Sequence, residues 1–159
     1  MDNKAAGFGS IWNNNSWFHE EKNYTKFAKD YLTAELPKQF VQKGSTYVRF
    51  YEVKSLTGEA SVTIRKQKQI FLYDFEVEIY FDAKDLDDEA VTCKGTIKFH
   101  EFNQDDDELS SDITCETPSE FVTKVKKILN SEMTDATIKV MAGLGKAMRG
   151  KDADDIKLK

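Results

Sequence analysis

The alternation of apolar and polar side chains is sharpest over residues 70–81. Phe71, Phe75, Val77, Ile79 and Phe81 share one parity, and Asp74, Glu76 and Glu78 take the other. Side chains alternate between faces along a strand, so this segment predicts a β-strand with one dry and one wet face. Residues 91–102 repeat the design, with Val91, Cys93, Ile97 and Phe99 opposed to Thr92, Lys94, Thr96 and Lys98. Residues 46–53, rich in aromatic and β-branched side chains, predict an earlier strand. Gly58 predicts a turn into a strand over 60–64, and residues 109–115 a short last strand after an acidic turn at 104–108. The connections are short, which predicts an antiparallel meander, because parallel pairing needs a crossover of about a dozen residues.

A helical period flanks this strand-rich stretch. Tyr24, Phe27, Ala28, Tyr31 and Leu32 recur at three- and four-residue steps. They predict an amphipathic helix over 23–36, capped by Asn23 and stopped by Pro37. Further on, Thr117-Pro118-Ser119-Glu120 reads as a capping box with proline at the first helical position. Val122, Val125, Leu129, Met133, Ala136 and Val140 continue as one stripe, with a kink at Asn130-Ser131 and an end near Gly143 and Gly145. The expected fold class is α+β: an N-terminal helix, a four- to five-stranded antiparallel meander sheet and a long C-terminal helix packed on the sheet. The expected organisation is a flexible lead over residues 1–11, a single domain over 12–150 and a charged flexible tail over 151–159.

Composition narrows the function. The 159 residues are 40% hydrophobic and 32% charged, which suits one globular domain. No apolar run approaches the roughly 18 residues of a membrane-spanning helix, and the first 15 residues lack the apolar stretch of a secretory signal. The expected location is cytoplasmic, with no membrane partner and with Cys93 and Cys115 reduced in the core. Net charge is −5, unevenly spread: residues 82–120 hold 13 acidic and 3 basic side chains. That balance argues against nucleic-acid binding, which rests on neutralising phosphates, and suits a complementary protein surface. No nucleophile motif is present, and His19 and His100 lie in no metal-ligand spacing. No catalytic residue, metal or cofactor is assigned, and the chain is read as a non-enzyme.

Two segments stand apart. Arg65-Lys66-Gln67-Lys68 places three cations at the junction of the second and third predicted strands, between Ile64 and Ile70, both read as core-directed. A sheet would hold such a cluster ready for an acidic or phosphate-bearing surface, with Arg65 able to form a bidentate pair. It equally suits an ordinary hairpin with edge-protecting lysines. The second segment, Trp12-Asn13-Asn14-Asn15-Ser16-Trp17-Phe18-His19, precedes the first helix. Its tryptophans either pack under that helix or serve as binding anchors.

Together these segments resemble the N-terminal domain of the activators of the heat-shock protein 90 ATPase. That family carries Asn-x-Asn-Asn-Trp-His-Trp before its first helix. Asn13, Asn15 and Trp17 match it, while Ser16, Phe18 and His19 depart. Phe27-Ala28-Lys29-Asp30-Tyr31 resembles the family's aromatic-Ala-Lys-acidic-Tyr helix, and Arg65, Lys66 and Lys68 match its Arg-Lys-x-Lys motif. The resemblance implies a monomeric co-chaperone that docks on the middle domain of the heat-shock protein 90 chaperone and favours the hydrolysis-competent state. It places the basic motif at a catalytic loop of the chaperone and the Asn/Trp segment in nucleotide turnover. It also implies that larger relatives add a second domain. The competing reading is a small-molecule carrier, or a generic protein-interaction module, built on a helix-covered curved sheet.

Overall fold

The computed structural model describes residues 20–65, 68–103, 108–115 and 118–157. Six strands among them form one antiparallel sheet: β1 (Glu20–Asn23), β2 (Phe40–Lys43), β3 (Thr46–Arg65), β4 (Lys68–Asp85), β5 (Asp88–Asn103) and β6 (Ser111–Cys115). The order is β1-β3-β4-β5-β6, with β2 also paired to β3. Three α-helices accompany it: α1 (Thr25–Glu35), α2 (Glu120–Asn130) and α3 (Glu132–Lys157). The expected α+β class holds. β1 and β2, four residues each, are too short for alternation to reveal in the sequence.

The largest departure is β3. The expected turn at Gly58 does not form, and one strand of 20 residues runs through it. At about 3.3 Å per residue it spans some 65 Å. Two bulges, between Phe50 and Glu52 and between Val53 and Ser55, each insert one residue against β4. Each insertion switches the parity of the core-facing positions, from Val48 and Phe50, through Val53 opposite Ile79, to Leu56, Ala60 and Val62. The broken alternation imitates two strands and a turn. Gly58 serves close approach instead. Its φ is +134°, and a Cβ there would collide with the Asp74 carbonyl oxygen and lie 2.8 Å from the Phe75 ring.

One face of the sheet is covered by helices. Phe75, Val77, Ile79, Phe81 and Ala83 on β4 meet Ile97, Phe99 and Phe102 on β5, and all are buried. Ala28 and Leu32 of α1, Val125 and Leu129 of α2, and Met133, Leu144 and Met148 of α3 close over them. Phe50, Phe75, Phe81, Phe99 and Phe102 are fully buried, so aromatic rings occupy the face where a carrier would hold its cargo.

The helix ends also differ from expectation. α1 has no side-chain cap on its own first turn; Asn23 Oδ1 accepts from Thr25 N at 2.8 Å one residue too early. Tyr24 N and the Thr25 hydroxyl bond to Ala60, which fastens the helix start to β3. The α-helix does end just before Pro37, at Glu35 with Leu36 as its cap, and Pro37 sits in the 3₁₀ turn Leu36–Lys38 that follows, where its missing N–H costs nothing. Ser119 caps α2 by accepting from Val122 N at 3.1 Å, so the helix begins after Pro118; Thr117 lies outside the described residues.

The expected kink is a break: Ser131, at φ −122° and ψ −87°, separates α2 from α3. Gly143 and Gly145 do not end α3, which continues to Lys157 through the segment expected to be a flexible tail. A Cβ on Gly143 would lie 2.5 Å from Tyr31 Oη, so this glycine lets α1 and α3 touch. The expected flexible lead and residues 104–107 of the acidic turn lie outside the described residues.

Candidate functional site

The basic cluster falls at the closed end of the β3–β4 ribbon. Pairing runs without interruption from Ser55 opposite Glu78 to Arg65 opposite Lys68. Lys66, together with Asn13, Asn15 and Trp17, lies outside the described residues. Lys68 is exposed, and among the described residues it makes no ion pair. β1 runs antiparallel to β3 with Glu20 opposite Ile64, one position short of Arg65. The described chain therefore starts, immediately after the Asn/Trp segment, beside the hairpin end.

The two faces of this end differ. On the open face Ile70 and Leu72 are 40% and 38% exposed. Ile70 is thus not core-directed, as its place beside the basic cluster suggested. The signal was present, because Ile70 and Leu72 share parity with Asp74, Glu76 and Glu78, the wet face of β4. Across from Ile70, the Thr63 hydroxyl is buried and, among the described residues, has no hydrogen-bond partner, a local cost of about 1–3 kcal/mol. Further along the open face, Glu59, Asp74, Glu76 and Glu101 line a cleft of about 370 Å³.

On the covered face, α3 reaches the same end. The Arg149 guanidinium lies over the Phe71 ring at 5.0 Å from its centroid. One turn on, Asp152 is bonded to Lys22, Tyr24 and Gln69. Sequence reasoning missed these groups, because a stretch dense in charge carries no apolar stripe.

Cys93 and Cys115 are thiols outside any disulfide, the first buried and the second half-buried. Among the described residues no three His, Cys, Asp or Glu side chains are placed to hold a metal ion, and no helix is long and apolar enough to cross a membrane. An exposed cation beside exposed aliphatics at the end of a continuously paired ribbon is open to contact by another macromolecule.

A family model described as Activator of Hsp90 ATPase, N-terminal, matches residues 21–151. The chain belongs to that family. Over 156 residues it is 26% identical to the Hsp90 co-chaperone AHA1 of Saccharomyces cerevisiae, covering 92% of this chain and 43% of that protein. Over 108 residues it is 26% identical to the Hsp90 co-chaperone HCH1 of the same yeast, covering 62% and 71%. An uncharacterized protein of Schizosaccharomyces pombe is 24% identical over 148 residues, covering 92% and 44%. The chain thus spans less than half the length of two of these relatives. The crystal structure of Aha-1 from Plasmodium falciparum superposes with a TM-score of 0.70 at 19% identity, covering 85% of this chain and 91% of that one. The activator N-terminal fold is therefore that of this chain.

Proposed function

We propose that this activator-family chain is an Hsp90 co-chaperone that binds the chaperone's middle domain through the hairpin end and stimulates its ATPase by stabilising the hydrolysis-competent state. The observation that carries the reading is the exposed Lys68, next to exposed Ile70 and Leu72, on a ribbon end that Arg65 closes. Lys66 completes the cationic group, and Asn13, Asn15 and Trp17 act on nucleotide turnover from the segment that leads into β1. The chain supplies no catalytic group of its own and acts as a cytoplasmic monomer without cofactor.

The mechanism is differential binding. A regulator accelerates hydrolysis only if it binds the competent conformation more tightly than the others. A tenfold shift requires a preference of about 1.4 kcal/mol, within the range of a single well-placed charged contact in a desolvated interface. The test is stimulation of chaperone ATPase by Arg65→Ala and Lys66→Ala chains, alongside pull-down of the separated middle domain at two salt concentrations. Stimulation falls sharply while the circular-dichroism spectrum is retained, and the complex weakens with salt. Full stimulation by both variants overturns the reading.

A further inference from the structure

Asp152 is the one charged side chain among the described residues that is buried, at 1% exposure. Its Oδ1 accepts from Lys22 Nζ at 3.0 Å and from the Tyr24 hydroxyl at 2.9 Å, and its Oδ2 accepts from Gln69 Nε2. These donors come from three places: β1, the residue before α1, and the second residue of β4. Lys22 pairs with Val62 and Gln69 with Ile64. One carboxylate thus gathers both strands that flank the last residues of β3. Arg149 over Phe71 supports the same joint from one turn earlier.

Such an arrangement is poorly explained by stability alone. Removing a carboxylate and an ammonium from water costs several kcal/mol per ion, and an apolar replacement of similar volume is often as stable or more so. What a fully bonded polar network adds is a single arrangement of its members. Here those members are the root of the basic hairpin and the strand that follows the Asn/Trp segment.

We infer that Asp152 is a positioning residue for the hairpin end: it locks β1 and the start of β4 against α3, so that Lys68 and its neighbours keep one orientation. The part of this inference that concerns a partner rests on the co-chaperone reading above.

The experiment uses the full chain as Asp152→Ala and as the paired apolar replacement Lys22→Leu with Asp152→Leu. The second variant keeps the joint filled and the fold stable without the network. Hydrogen exchange is followed at the amides of residues 20–23 and 68–72, against those of 77–81 in mid-strand. Both variants raise exchange about tenfold at the first two sets and leave the third unchanged, equivalent to about 1.4 kcal/mol of local opening. With the chaperone, the paired variant loses stimulation although its melting temperature matches the parent chain.

Uniform acceleration of exchange, or none, overturns the inference, as does full stimulation by a paired variant whose hairpin end has loosened. The exchange measurement needs no chaperone. If the parent chain fails to stimulate, the co-chaperone reading falls while the locking is still decided.

Discussion

The middle of the open sheet face and its hairpin end treat cations in opposite ways. In the middle, Arg49 forms two bonds to Asp82, at 2.8 and 3.0 Å, and its guanidinium lies 5.7 Å from the Tyr51 ring centre. Lys54 meets Glu78 at 3.6 Å and Lys98 meets Glu76 at 3.3 Å. Tyr51 stacks on Tyr80 between these pairs. Every one of these cations is answered by a neighbouring strand. At the hairpin end, Lys68 is exposed and makes no ion pair among the described residues. A charge neutralised within the sheet has little left to offer another protein, whereas one left unanswered on a stiff ribbon remains available.

The largest effect is expected from disturbing the ribbon between the two regions. Gly58 lies there with φ +134°. Any side chain would collide with backbone, since a methyl group at this position would overlap the Asp74 carbonyl oxygen and come within 2.8 Å of Phe75 Cα. Strain at such a φ and overpacking each cost about 1–3 kcal/mol. Gly58→Ala is therefore expected to lose at least about 2 kcal/mol in urea unfolding. A midpoint equal to that of the parent chain would mean that the ribbon tolerates a kink there and does not hold the hairpin in one orientation.

A pair of substitutions sharpens the contrast directly. Lys68→Glu leaves stability within about 0.5 kcal/mol, as expected for an exposed side chain, and lowers affinity for the chaperone's middle domain about tenfold. Arg49→Ala does the reverse. It removes a cross-strand pair worth about 0.2–1 kcal/mol of stability and leaves affinity nearly untouched. Calorimetric titration and urea melts on both variants decide the matter. If Arg49→Ala cost the greater affinity, the docking surface would lie in mid-sheet.

Much of the covered face was legible in the sequence, for a simple reason. β4 is a long strand with one unbroken period, and the α2–α3 stripe from Val122 to Val140 keeps its period across the break at Ser131. What hid the rest was interruption. The bulges beside Tyr51 and Lys54 shift parity twice, so β3 read as two strands. β1 pairs four residues to the far side of β3, a long-range contact that local pattern does not register. The site was half legible: the cationic run stands out in any reading, but the exposure of its apolar neighbours Ile70 and Leu72 shows only when the wet-face parity of Asp74, Glu76 and Glu78 is followed back to the start of β4. Asp152 was invisible, because a carboxylate in a charged segment acquires its meaning only from Lys22, 130 positions away.

The smallest expected effect concerns an ion pair far from the hairpin. Lys43 Nζ lies 3.2 Å from Glu132 Oε2 and joins β2 to the first turn of α3. The Ser131 hydroxyl, and after it the Lys43 ammonium, hold the Glu132 carboxyl below its ordinary range. A carboxyl depressed in the folded state stabilises above its unfolded pKa of about 4.3, and that contribution is lost as pH falls through the folded value. Glu132→Gln should therefore flatten the acid limb of the melting temperature between about pH 5 and pH 3, leaving chaperone binding at neutral pH unchanged. The difference is small because the pair is exposed and screened. Acid limbs of equal slope in the two chains would show that this cation, unlike Arg49, is only loosely held by its neighbour, and would place Lys43 with the hairpin cations as charge available to a partner.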